Sequence, residues 1–254
     1  MALKARSLFL YGIEVTTQNR SIDFKISGGG SELQATLRVG FYSLGTLLTE
    51  VVRALQEADP SNSYTATADR TINGGTENRV TIETSGTFLS LLFATGSRAA
   101  SSAYALLGFP FADQTGSTSY TGDTSVGTPL ITNREGYVYV PTEAYQSNFG
   151  KVNVSASGQK EAITFSTQFF FQAQFKWIPS EEMESDWSPL MTWMIAQKPF
   201  DFTPEITDPD TFVTATLEST PGDGTGLGFR LTEMLPVPDM WDTGIMKFRK
   251  VPGT

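Results

Sequence analysis

The side chains that could do chemistry in this chain are carboxylates and hydroxyls, because it has no histidine and no cysteine. That absence removes the commonest general base, the imidazole metal ligands and every histidine-dependent triad. It also removes thiolate zinc sites, iron–sulfur clusters and disulfides. Carboxylate-dependent glycoside hydrolysis and Ser–Lys chemistry remain open. Asp208 and Asp210 flank Pro209, a spacing that could hold calcium or pair an acid with a base. Their surroundings lack the remaining ligands of a calcium loop, and Asp-Pro commonly opens a turn. Glu181, Glu182, Glu184 and Asp186 form an acidic cluster, either a cation site or a solvated approach to a helix. The plainer reading fits each better, so no catalytic residue, no metal site and no cofactor is expected.

Glycine-rich and aromatic motifs fare similarly. Gly28-Gly29-Gly30 precedes a strand pattern, so no helix N-terminus is available to hold a phosphate. The run GDGTGLG at residues 222–228 lies between two strand patterns and reads as a hairpin loop. Trp177, Trp187, Trp193 and Trp241 could line a sugar site, but helix-associated tryptophans more often pack in a core.

The elements that must position these groups are mostly strands. Charged residues make up 18%, aromatics reach 12%, and the net charge of −9 argues against binding nucleic acid through basic patches. No run approaches the ~18 apolar residues of a membrane span, and the first ten residues lack a signal-peptide core, so a chain kept in a cytoplasm, without membrane insertion, is expected. Alternation predicts a hairpin from residues 21–26 and 33–39, and another from 64–68 and 79–83. Ser43 is a plausible N-cap for a helix over 43–58. Leu44, Leu47, Leu48, Val51, Val52 and Leu55 share one of its faces, and Asp59-Pro60 ends it. A short helix is predicted at 101–107, closed by Gly108. The polar stretch QTGSTSYTGDTSVGT reads as a linker or exposed loop.

Beyond it, strands are predicted at 137–140, 151–156, 162–177, 211–219, 226–231 and 245–251. A helix is predicted at 188–197, with Ser188 as N-cap and Pro189 at its first position. In the long strand Phe165, Phe169, Phe171, Phe175 and Trp177 are all odd-numbered, which places them on one face as a candidate subunit interface. Charge is uneven: up to Gly127 there are 9 basic and 11 acidic residues, and after it 9 and 16.

Two sets of segments resemble bacteriophage tail proteins. The first runs through IEVTTQNRSIDFK, ELQATLRVGFYSLGTLLTEVVRAL, VTIETSGTFLSLLFATG and ALLGF. The second comprises QFKWIP, WSPLMTWMIAQ, KPFDF, FVTATLES, GFRLTEM and MKFRKV. Their order is similar to that of distal tail and baseplate ring proteins, which carry a tail-tube-like β-barrel module. The resemblance implies a mainly β (α+β) fold with short helices. Residues 1–122 would form a small α+β adaptor module, 123–136 a linker or exposed loop, and 137–254 a tail-tube-like β-barrel or sandwich with one flanking helix. It implies a non-enzymatic virion protein, assembled in the bacterial cytoplasm. Its copies would form a ring, expected to be a hexamer, between the tail tube and hub or fibre proteins, with DNA passing through an acidic lumen. The neighbouring possibility is a tail tube or terminator subunit. Rivals from other classes are a carbohydrate-binding module and a carboxylate glycosidase.

Overall fold

A computed structural model describes residues 7–71, 77–132, 145–154, 160–204, 206, 212–218, 232–233 and 239–251; for 132, 145–154, 160–172 and 232–233 it describes the backbone alone. The first strands in chain order are β1 (Ser7–Tyr11), β2 (Ile13–Val15), β3 (Ser21–Lys25), β4 (Leu33–Thr36) and β5 (Gly40–Tyr42). After helix α1 (Leu44–Ala58) come β6 (Tyr64–Ala68), β7 (Val80–Thr84), β8 (Leu89–Leu91), β9 (Gln114–Ser117), β10 (Ser119–Thr121) and β11 (Thr128–Thr132). There follow β12 (Tyr145–Val154), β13 (Lys160–Ala173) and β14 (Ile178–Pro179), then a helical stretch of α2 (Ser180–Glu182), a π-turn (Met183–Trp187) and α3 (Ser188–Ile195). The chain closes with β15 (Phe200–Thr203), β16 (Val213–Leu217), β17 (Thr232–Glu233), β18 (Met240–Asp242) and β19 (Met246–Lys250).

Two compact units result. The N-terminal unit is Ser7–Ile131 with Phe200–Phe212; the C-terminal unit is Thr132–Pro199 with Val213–Thr254 and Met1–Arg6. A short C-terminal segment is thus part of the N-terminal unit.

In the N-terminal unit α1 forms where the apolar stripe predicts it. Ser43 accepts a hydrogen bond from the Thr46 N–H, while the Thr46 hydroxyl accepts one from the Ser43 N–H; Asp59 is the C-cap. Leu44, Leu47, Val51, Ala54 and Leu55 are buried against Ile22, Phe24, Tyr64 and Ile82. The sheets are antiparallel and open, in the orders β4-β3-β8-β9, β10-β7-β6 and β2-β5, with β11-β1-β15 beside them. Both predicted hairpins are present, Ser21 facing Thr36 and Tyr64 facing Thr84. The polar stretch read as a linker contains β9 and β10; Tyr120 packs on the core and donates its hydroxyl to Leu89 O at 2.9 Å. Low hydrophobicity concealed strands whose anchor is a single tyrosine. The predicted helix at 101–107 is instead a 3₁₀ turn, Ala99–Ser101, followed by a turn that reverses at Gly108 in the left-handed region, φ 76°.

In the C-terminal unit the strands run β16-β19-β13-β12, with β14-β18-β17 as a second sheet. The expected β-barrel is not formed: the architecture is mixed α+β, built from several open antiparallel sheets. Closure requires each strand to be paired on both sides along a consistent stagger. Here β13 pairs β12 along nearly its whole length, from Lys160 to Phe170, but meets β19 only from Phe170 to Ala173. Among the described residues, the rest of β13 leaves β19 behind and has β12 alone beside it, a two-stranded arm.

The long strand ends earlier than predicted. Ala173 is its last residue, and Trp177 has a positive φ of 62°, so Phe175 and Trp177 do not continue its alternation. The second helix also differs. Helical backbone starts at Ser180, so Ser188 is interior to it and makes no cap. Pro189 has no N–H and its ring crowds the carbonyl four residues back, and the π-turn just before α3 widens the backbone there. The core of this unit places Phe175 on Trp187, ring centroids 5.1 Å apart, with Leu190, Met194 and Phe248 buried. The predicted strands at 137–140 and 226–231 lie outside the described residues.

Candidate functional site

The candidate interface residues are not brought together as one face. Phe165, Phe169 and Phe171 lie on the backbone of β13, and their side chains are outside the described set. Phe175 is 1% exposed and spent on Trp187. Trp177 is 39% exposed, an unusual position for a large aromatic and the more so at a positive φ.

The other tryptophans have local partners. Trp187 is buried; Trp193 donates its ring N–H to Pro199 O at 2.9 Å and lies under the Lys198 ammonium. Trp241 donates to Ser180 Oγ at 2.9 Å. Of the acidic cluster, Glu181, Glu184 and Asp186 are exposed and Glu182 is half-buried. Asp208, Asp210 and the glycine run at 222–228 lie outside the described residues, among which no group of three or more acidic side chains is placed to hold a metal.

Chemistry-bearing groups do gather elsewhere, in the N-terminal unit. Five acidic side chains, four buried and one, Asp113, half-buried, each take several donors. Asp23 accepts from Arg98 N at 2.6 Å and Arg98 Nε at 2.8 Å, while Arg98 also donates to Ala35 O and Thr36 Oγ1. This ties β3 and β4 to the loop before the 3₁₀ turn. Glu50 accepts from Arg38 N at 2.6 Å and Arg53 Nε at 2.7 Å. Burial alone would raise the Glu50 carboxyl, but Arg53 and the Arg38 N–H outweigh it and hold it below the usual range.

Asp59 caps α1 and accepts from Ser61 N, Asn62 Nδ2 and the Tyr64 hydroxyl, the last at 2.6 Å. Burial opposes ionisation there too, yet these donors lower its pKa; the Tyr64 phenol is pushed up by burial and by the carboxylate it serves. Asp113 is likewise lowered against its burial, by Thr95 and the N–H groups of Ala94 and Thr95. Asp201, 1% exposed, accepts from Leu44 N at 3.3 Å and Arg70 Nη2 at 3.0 Å, and Arg70 stacks on Phe212 at 3.5 Å.

These carboxylates are occupied by backbone N–H groups, guanidinia and hydroxyls of the fold itself. Glu50, Asp59 and Asp113 are held ionised by these donors, the opposite of a general acid poised near neutral pH, and Asp23 and Asp201 are hydrogen-bonded in place. Sequence reasoning placed Asp59 at the end of α1 and missed the other four as structural anchors. The only local signal was position: Asp23 alternates with Ile22 and Phe24, and Asp201 with Phe200 and Phe202, so each carboxylate sits on a strand whose neighbours are core. No family model matches the chain, and no curated protein matches it.

Proposed function

We propose that this chain is a non-enzymatic structural subunit of a bacteriophage tail. In this reading its copies associate into a ring, expected to be hexameric, between the tail tube and the host-recognition apparatus. The observation that carries the self-association is the β12–β13 arm. From Lys160 to Phe169, β13 has β12 on one side and, among the described residues, no strand on the other. A two-stranded ribbon is marginal alone in water and presents unpaired N–H and C=O groups along its edges. A neighbouring copy is the occupant that satisfies such an edge in a symmetric assembly.

The tail assignment rests on the resemblance of the segments that end in QFKWIP, KPFDF and MKFRKV. The excess of acidic over basic residues after Gly127 suits a lumen that repels phosphate and lets DNA pass. Anchoring of the buried carboxylates by fold contacts supports a scaffold role over carboxylate catalysis.

Solution mass of the full chain across a concentration series tests the reading. Closed oligomers of one size support it. A monomer at all concentrations that binds a glycan array moves the assignment to a carbohydrate-binding module, and a monomer that cleaves glycosides moves it to a glycosidase.

A further inference from the structure

Among the described residues four other than glycine have a positive φ: Asn78, Trp177, Gln197 and Asp239. Three of them have an ordinary reason. Asn and Asp tolerate the left-handed region because a short polar side chain can hydrogen-bond locally. Gln197 follows the C-terminal end of α3, where that conformation closes helices. Trp177, at φ 62°, has neither reason. Gly244, in the facing segment, takes the same conformation at φ 63° with the residue type that adopts it without steric cost. A bulky side chain there is an outlier.

The chain is fixed on both sides of this residue. Before it, Phe175 N donates to Thr243 Oγ1 at 3.0 Å, and Thr243 N donates to Phe175 O at 2.9 Å. After it, Ile178 pairs with Trp241 in the β14–β18 ladder. Phe175 and Ile178 are buried. Simple alternation would place residue 177 inward with Ala173 and Phe175; the left-handed step breaks that pattern and leaves the indole 39% exposed. Burial of the ring therefore does not offset the backbone strain, and strain held in place by its surroundings marks a functional position.

The neighbouring groups are polar and ordered. Gln174 and Lys176, which alternate with buried Ala173 and Phe175, are half-buried. Gln174 Nε2 donates to both oxygens of Asp242, at 2.9 and 3.0 Å, and Gly244 N donates to Asp242 Oδ1 at 2.7 Å. This fixes the Gln174 amide and leaves its Oε1 as an acceptor. Ala173 pairs with Met246, so Ile245, 55% exposed, is across from Gln174. An aromatic ring, an aliphatic side chain, an acceptor and the Lys176 ammonium thus share one stretch of surface, where the charges of Lys176 and Asp242 cancel.

We propose that Trp177 is the platform of a binding site for a neutral glycan. A pyranose ring lies on the indole, and its hydroxyls reach Gln174 Oε1 and the Lys176 ammonium. A pyranose has a face of C–H bonds and a rim of hydroxyls, which matches a surface that is aromatic, hydrogen-bonding and without net charge. The residues all come from one copy, so the proposal is independent of the tail assignment.

Calorimetric titration of the full-length protein tests it, with maltohexaose, cellohexaose, xylohexaose and chitohexaose as probes and polygalacturonate as a charged contrast. At least one neutral oligosaccharide should bind with a dissociation constant on the order of 1 mM or lower. Trp177→Gly, which relieves the backbone, should weaken that binding about tenfold or more and leave both the thermal midpoint and the oligomeric state as in wild type. Lys176→Met, which removes one donor, should weaken it by a smaller factor. Binding of none of the four neutral probes would overturn the proposal, as would tighter binding of polygalacturonate. So would binding that survives Trp177→Gly, or a Trp177→Gly protein that loses self-association and keeps the glycan. If that variant fails to fold, Trp177→Leu replaces it, and unchanged binding there overturns the proposal equally.

Discussion

The two units solve the same problem, unpaired backbone and buried polarity, in different ways. In the N-terminal unit short strands are tied by carboxylates: Asp23 to Arg98, Glu50 to Arg53, Asp59 to Tyr64, Asp113 to Thr95 and Asp201 to Arg70. In the C-terminal unit a 14-residue strand outruns its sheet and, among the described residues, leaves an arm paired on one side. The first arrangement satisfies itself, whereas the second, among the described residues, leaves a strand edge unpaired, which is the edge the proposed assembly would use. The difference teaches that an acidic chain without histidine or cysteine can still place its carboxylates with care, as fasteners.

The comparison can be broken by perturbing one unit and watching the other. All four tryptophans belong to the C-terminal unit, so indole emission reports that unit, while hydrogen exchange of the α1 amides reports helix formation in the N-terminal one. Val51→Asp puts a charge in the centre of the α1 core and should destabilise the N-terminal unit by about 4 kcal/mol or more. The α1 protection should be lost at far lower urea than in the parent, with indole emission changing less. Unchanged melts in both signals would refute the assignment of the stripe to a core. Leu48→Asp should cost less, because Leu48 is only half-buried.

Arg98→Ala leaves the Asp23 carboxylate buried without its main partner, and should cost about 3 kcal/mol, read as a lower urea midpoint. Replacing both partners by apolar residues should recover part of that loss. A smaller effect should follow from acid. Glu50, Asp59 and Asp113 all have folded pKa values below their ordinary ones. Their stabilisation is therefore present above the ordinary carboxylate range, and is lost as pH falls through it, from about 4.5 downward. Asp59→Asn should flatten that loss in an acid titration followed by far-UV dichroism. The smallest effect is expected at Trp177, where glycine removes the cost of a positive φ and gives up half-exposed packing. Trp177→Gly should leave the thermal midpoint within about 1 kcal/mol of the parent in stability terms.

Where a single periodic face or a cap decides an element, the sequence was readable. Helix α1, with its Ser43 cap and Asp59 stop, and the two N-terminal hairpins follow from local rules. What escaped depends on partners far along the chain. β10 is held by Tyr120 reaching Leu89, and β15 is claimed by a strand almost 200 residues earlier. No local pattern in QTGSTSYTG or KPFDF announces either. The barrel expectation erred for a related reason: strand order and length are compatible with closure, but the register between β13 and β19 covers only four residues. Of the five candidate interface residues, Phe175 lies in the local core because the strand ends at Ala173. That end is set by the turn through Trp177, which period-two reading passes over.

The central claim is that the arm is the element left for another copy, and single prolines along it address that directly. Neighbouring positions on a strand donate their N–H groups to opposite sides, so of Thr167→Pro and Gln168→Pro one disturbs the β12 ladder and the other only the outer edge. The measurement is sedimentation of full-length wild type and both variants over a concentration series. Wild type is predicted to form a closed oligomer of one size. Both variants should shift to monomer with the N-terminal unit's melt unchanged. A wild-type monomer at every concentration, or oligomers indifferent to both prolines, would contradict the account.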